Sequence, residues 1–255
     1  MGDTARGPRY VDDNAWIALA LEQHALLAPS ESGAVGAPDD LLRWLLAAQM
    51  HNGGVVWREG PTGLHACSTG ATGLAAARAF LRTRDRSLLE AAARAADFLH
   101  DVLRVHGGDN DGLIADNVDA AGRIEPTLWT YNQGLAIGLD VVLHQTGQSG
   151  ALERAERTAA AVMRWAERDT LWSQPPCFNA VLMRNLRLLH HESPDAALAT
   201  FIDDYTERVL DHLATGSVKD DHRGAYPGSS VIDRAGDVQV CALAAIPIAR
   251  HALLC

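Results

Sequence analysis

The chain has 255 residues and a net charge of -10, with 47% hydrophobic and 21% charged residues. That is the composition of a packed globular protein, and a surface this acidic gains nothing from releasing counterions on nucleic acid. Alanine, leucine and arginine dominate and β-branched runs are scarce, which favours helix over sheet.

The length suits one large domain, residues 1–255. No stretch is apolar for long enough to span a bilayer, and MGDTARGPRY lacks an apolar signal region. A membrane partner is therefore not expected, and the cytoplasm is the default location. None of the cysteines, Cys67, Cys177, Cys241 and Cys255, stands in CxxC spacing, so zinc and redox motifs are unsupported. The first three sit among small or apolar neighbours and read as buried free thiols.

Apolar periodicity predicts about nine helices, at roughly 12–28, 38–50, 68–83, 87–104, 128–146, 150–168, 177–190, 194–213 and 232–254. Asp12 or Asp13 can cap the first helix, Asp39 the second, Ser68 the third and Asp85 the fourth. Pro194 suits the first turn of the eighth, and Gly107-Gly108 and Gly147 fit helix stops. The linkers alternate between short polar ones (TRDR, TGQSG, HESP) and longer ones rich in Gly and aromatic residues, which suggests repeated helical hairpins. STGATGLAAARAF and WTYNQGLAIGLDVVL carry small or apolar residues on several faces. LLEAAARAADFL and ALERAERTAAAVMRWAERD are amphipathic and charged. A helix that is apolar all round is buried on all sides, so the two kinds predict an inner and an outer ring, an α/α toroid.

Asp12 and Asp13, within YVDDNAW, open an otherwise apolar helix. One reading is structural, because acids belong at the positive end of a helix. The other is a glycosidase pair. Neighbours on a helix point about 100° apart, so two carboxyl groups can flank one small group, with one as nucleophile and one as acid/base. Mutual repulsion would keep a proton on one of them. In HNGGVVW, Gly53 and Gly54 permit a tight turn or close backbone approach, and Trp57 either packs or stacks on a sugar ring. Tyr131, Asn132 and Gln133 open a predicted inner helix, either as hydroxyl-reading groups or as a buried polar network. Asp109-Asn110-Asp111-Gly112 lacks the downstream Glu of a calcium loop and reads as a turn. His190-His191 reads as a solvated helix end.

In this order the motifs resemble glycoside hydrolase family 76, the α-1,6-mannanase family. The resemblance runs through YVDDNAW (10–16), GGVVW (53–57), ACSTGATGLAAARAF (66–80), DGLIADN (111–117), WTYNQGLAIG (129–138) and CFNAVLMRNLRLL (177–189), then the final helix near 232–246. It implies an (α/α)6 toroid that cleaves α-1,6-mannosidic links with retention. Asp12 would be the nucleophile and Asp13 the acid/base. Trp57, Gly53, Gly54, Tyr131, Asn132 and Gln133 would line the cleft, a mannan-type oligo- or polysaccharide would be the partner, and no cofactor or metal is implied. Leu64, His65 and Ala66 stand where the family often carries a Lys/Arg-Asn pair.

The resemblance also implies about three helices ahead of the Asp pair, so nine of twelve helices would form an incomplete toroid. Apolar flanks of the first and last helices would then lack partners, at about 1.5–3 kcal/mol for each large side chain left exposed. Three outcomes are expected: a fragment, a homo-oligomer that closes the toroid, or a non-catalytic glycan-binding relative. A different α/α-toroid sugar enzyme, such as a 2-epimerase, would need paired histidines in the cleft.

Overall fold

The structure, a computed structural model, describes residues 7–27 and 38–215. Eight α-helices lie among them: α1 (Val11–Leu27), α2 (Pro38–Ala47), α3 (Ala66–Thr83), α4 (Arg86–Asp101), α5 (Thr130–Gln145), α6 (Ala151–Ala166), α7 (Pro176–Glu192) and α8 (Ala196–Thr215). These are the first eight predicted helices, with ends displaced by a few residues. The ninth, with Cys241 and Cys255, lies outside the described residues. Three two-residue strands, β1 (Leu64–His65), β2 (Asn117–Val118) and β3 (Ile124–Glu125), form an antiparallel sheet in that order.

Helix ends follow local chemistry. Asp85 caps α4 as expected, its carboxylate accepting from Ser87 N at 2.9 Å. After α5, Gln148 N bonds Leu143 O at 3.1 Å and Gly147 N bonds His144 O at 2.8 Å, with Gly147 at φ +90°. That paired arrangement is the Schellman stop, which needs a left-handed residue.

Other expected ends are corrected. α3 starts at Ala66, whose N–H bonds Asp116 O at 2.8 Å, so Ser68 lies buried within the helix and caps nothing. Asp12, Asp13 and Asp39 stand in first turns. Pro194 precedes α8, and Asp195 accepts from Leu198 N at 2.7 Å in the capping role. His190 Nδ1 in turn accepts from Asp195 N at 3.1 Å, so that histidine holds the helix junction. Gly107 and Gly108 begin the turn Gly108–Asn110, several residues beyond the end of α4. Cys177 is exposed, because the first turn of α7 presents it outward; Cys67 is buried.

The chain divides into two compact units. The first comprises residues up to Arg104, Ile114–Thr127 and Val142–Gln148. Within it α3 packs against α1, α2 and α4. Ala66 through Ala79 are all buried, and apart from Leu74 and Arg78 they are small, which lets the helix be enclosed closely on every side. Glu22 on α1, 1% exposed, receives Arg82 of α3 through Nε at 3.1 Å and Nη2 at 2.9 Å. The same guanidinium reaches Asp39 of α2 at 2.7 Å, so one arginine ties three helices.

The second unit comprises Val105–Leu113, Leu128–Val141 and the described residues from Ser149 onward. Its core gathers Leu113, Ile137, Val162, Trp165, Leu182, Leu186 and Ile202. Gly134 and Gly138 lie four residues apart on α5 and let α7 approach. A Cβ at Gly134 would stand 2.8 Å from Leu182 Cα, and one at Gly138 would stand 2.0 Å from Asn185 Oδ1. Asp140, fully buried, is paired with Arg154 of α6 at 2.7 Å. Asn132 through Leu143 of α5 are buried without a break, whereas α4 and α6 alternate buried and exposed positions. Sequence patterning had separated the same helices into two kinds.

Candidate active site

The first turn of α1 is held by the loop that follows α2. Val11 N bonds Trp57 O at 2.7 Å, and Tyr10 bridges Arg58 across the same contact. The loop is itself anchored at its glycines. Gly53 has φ +92°, and a Cβ there would stand 2.0 Å from Arg94 O of α4. At Gly54 it would stand 2.7 Å from the Phe98 ring. Both glycines are buried against α4, and what they do is carry Trp57 to α1.

Asp12 is half-buried and Asp13 exposed. Trp57 Nε1 donates to Asp12 Oδ2 at 3.0 Å, and the Asp13 amide donates to Asp12 Oδ1 at 2.9 Å. The Cys67 thiol, a weak donor, lies 3.8 Å from Oδ2. Burial raises the Asp12 carboxyl above the ordinary carboxylate range; the indole and amide donors pull the other way, and the Asp13 charge adds to the rise. Both Asp12 oxygens therefore face neutral donors that fix their direction.

Trp57 is enclosed by other rings. The edge of Tyr10 meets it at 4.9 Å and 73°, and His65 stacks on it at 5.5 Å and 24°. The indole thus also acts as donor to Asp12, a role that its spacing in the sequence did not suggest. His65 was not among the expected site residues. Burial pushes its pKa below the ordinary histidine value, against the pull of the Asp116 and then the Asp12 carboxylates. It ends strand β1, directly before the helix that brings Cys67 to Asp12. Spacing alone could not connect it to Trp57.

Tyr131, Asn132 and Gln133 belong to the second unit. Tyr131 is half-buried and tilts over Phe178 of α7 at 4.1 Å and 40°, while Trp129 meets the same ring edge-on at 5.7 Å. Asn132 and Gln133 are buried, and Gln133 Nε2 donates to Trp129 O at 3.1 Å. Thr130 N bonds Gln174 Oε1 at 3.1 Å, fixing where α5 begins. Phe178 is the residue of this cluster that sequence reading missed; it stood in a quoted motif, CFNAVL, without an assigned task. Among the described residues no group of three or more His, Cys, Asp or Glu is arranged to hold a metal ion, and no helix is long and apolar enough to cross a membrane.

In fold, the chain is similar to an α-mannanase of family 76 from Bacteroides thetaiotaomicron, with a TM-score of 0.75 at 17% identity over 100% of this chain and 73% of that one. A family 76 mannosidase from Bacteroides thetaiotaomicron VPI-5482 gives 0.74 at 23% identity, over 95% of this chain and 71% of that one. An inactive variant of an α-1,6-mannanase from Salegentibacter sp. HEL1_6, in complex with α-1,6-mannotriose, gives 0.68 at 20% identity over 94% and 76%. In that variant two consecutive aspartates are replaced by asparagine. At these identities the likeness establishes the fold, an all-helical α/α toroid of which this chain spans about three quarters. No curated protein matches the sequence significantly. The profile of glycosyl hydrolase family 76 matches residues 37–227, a span that begins after the Asp12–Asp13 turn. With three quarters of its length inside that match, the chain belongs to glycosyl hydrolase family 76.

Proposed function

We propose that this glycosidase-family chain cleaves α-1,6-mannosidic links with retention, with Asp12 as nucleophile and Asp13 as acid/base. The observation that carries the reading is the unequal treatment of two adjacent acids. Asp12 is half-buried with both oxygens directed by donors, and Asp13 is exposed beside it. A nucleophile needs a fixed, ionised oxygen; an acid/base needs access to the leaving group and then to water. Asp13 would give its proton to the glycosidic oxygen while an Asp12 oxygen bonds the anomeric carbon and the leaving group departs. Asp13 would then take a proton from water, whose oxygen attacks that carbon and releases Asp12.

The indole N–H on Oδ2 supports this assignment. It stabilises the carboxylate through both halves of the cycle without supplying a full positive charge, so Asp12 stays nucleophilic. The Salegentibacter enzyme, inactive when two consecutive aspartates are replaced, supports the pair as the reacting groups, and its α-1,6-mannotriose supports the substrate class. Tyr131, Asn132 and Gln133 would read sugar hydroxyls, with Tyr131 and Phe178 as the apolar wall. In the first unit, Gly53 and Gly54 serve Asp12 by carrying Trp57.

The test is hydrolysis of α-1,6-mannan followed by proton NMR of the first product. Retained α configuration, lost in both Asp12→Asn and Asp13→Asn with the circular dichroism spectrum unchanged, is the expected result. An inverted product, or near-wild-type turnover in either variant, would overturn the assignment. Binding of the mannan without turnover in the wild type would instead identify a glycan-binding relative.

A further inference from the structure

We propose that His65 is a positioning residue for Asp12: its imidazole, stacked on Trp57, holds the indole whose N–H directs the carboxylate. The inference rests on the reading of Asp12 as nucleophile and adds a residue to it.

The backbone of His65 is fixed from two sides. Its N–H bonds Val55 O at 3.1 Å, and it faces Asn117 across the β1–β2 ladder. The next residue is pinned as well, Ala66 N to Asp116 O at 2.8 Å. The imidazole therefore springs from a fixed backbone, and the indole stacked on it at 5.5 Å and 24° is supported from that side. From there Trp57 donates to Asp12 Oδ2 through one 3.0 Å bond. Tyr10, edge-on to the same indole, limits movement from another direction. Remove His65 and the indole keeps its donor but loses the surface that aims it.

His65 also supplies a charge that can change. The ionisable groups acting on it are Asp12 from α1 and Asp116 from the segment leading into β2, and both favour its protonated form; burial opposes it and prevails. Near neutral pH the imidazole is thus an uncharged ring and the stack is apolar. On acidification it becomes a cation over an indole face, which tightens the stack, and a positive charge near Asp12, which keeps that carboxylate ionised.

Two readouts test it, the first without turnover. Subtract the emission of Trp57→Phe from that of the wild type and titrate the difference from about pH 8 to about pH 5, across the ordinary histidine range. The Trp57 signal should fall in one step, centred below the ordinary histidine value, as imidazolium quenches the indole. In His65→Phe, which keeps a ring against the indole, the step should vanish. A flat wild-type signal, or the same step in His65→Phe, overturns the proposal.

The second readout is hydrolysis of α-1,6-mannan. His65→Ala should lower kcat about tenfold with KM within about twofold, as expected when a reacting group is misplaced but the sugar still binds. His65→Phe should restore most of that kcat near neutral pH, and its acid limb should lie at higher pH than the wild type's. Unchanged kcat in His65→Ala, or no rescue by Phe, overturns the positioning role. Asp12→Asn separates the two claims. If it still hydrolyses mannan, the nucleophile assignment fails. If it is inactive while the His65 variants match the wild type, only the present proposal fails.

Discussion

Among the described residues two acids are essentially fully buried and Asp12 is half-buried, and these are answered in two ways. Glu22 in the first unit and Asp140 in the second are essentially fully buried, and each meets an arginine, Arg82 at 2.9 Å and Arg154 at 2.7 Å. Asp12 sits only one helix length from Glu22, yet among the described residues no arginine or lysine bonds it. An indole, an amide and a thiol take that place. A full cation beside a buried carboxylate satisfies it and fixes its charge. Neutral donors fix its direction and leave its charge less favourable, which the raised Asp12 pKa expresses. The structural acids are satisfied and silent; the candidate nucleophile is directed and incompletely satisfied, as a group reserved for chemistry should be.

The largest test of that contrast is turnover. Asp12→Asn should reduce hydrolysis of α-1,6-mannan about a thousandfold or more, because the bond-forming oxygen loses its charge. Glu22→Gln should leave kcat near wild type in any variant that remains folded. Equal losses in the two would erase the distinction.

Next in size is stability. Arg82→Ala and Arg154→Ala each strand a buried carboxylate, and each should lose about 3–5 kcal/mol in urea titration. Removing both members of a pair, as in Arg154→Leu with Asp140→Leu, should recover much of the loss, since a buried pair contributes less than one orphaned charge costs. Losses below about 1 kcal/mol would mean that these arginines behave as surface pairs.

A smaller loss separates packing from charge in the second unit. Gly138→Ala places a methyl group 2.0 Å from Asn185 Oδ1, so α7 or that side chain must move. The expected cost is about 1–3 kcal/mol, the range for overpacking. Gly150→Ala meets no such neighbour but stands at φ +76°, so its cost is backbone strain alone. A tolerated Gly138→Ala would show that α5 and α7 can separate at little cost.

Much of this arrangement was legible in the chain. Periodicity located eight helices, and the small-residue faces of ACSTGATGLAAARAF and WTYNQGLAIG marked α3 and α5 as enclosed. Asp12 and Asp13 drew notice as acids at a helix start. What did not show was which groups answer Asp12. Trp57 stands 45 residues away, Cys67 55 residues away, and the two rings against the indole, Tyr10 and His65, come from two other segments. Such partnerships arise from tertiary closure, and local spacing carries no trace of them. The expected Ser68 cap failed for a related reason: Ala66 N–H is satisfied by Asp116 O, so α3 begins without using the serine that looked like its cap. Cys177, read as buried from its apolar neighbours, is exposed because position within a turn decides which way a side chain faces.

The smallest predicted effect is also the one most specific to Asp12. Its carboxyl holds a proton more tightly in the folded chain than in the unfolded one, chiefly because burial penalises the charge. The stability this group contributes is therefore full below its unfolded pKa and is lost as pH rises through its folded pKa. At neutral pH the ionised form is a net burden on the fold. Asp12→Asn removes the charge and keeps an oxygen for the Trp57 N–H, at the loss of the acceptor for the exposed Asp13 amide, so it should melt slightly higher than the wild type near pH 7, by about 2 °C. The gain should shrink towards zero near pH 3, where the wild-type carboxyl is protonated in both states. Activity and stability would then move in opposite directions at one residue, as they do where a site is kept at the expense of the fold. If Asp12→Asn instead melts lower at neutral pH, Asp12 joins Glu22 and Asp140 as an acid the fold relies on, and its neutral donors serve structure alone.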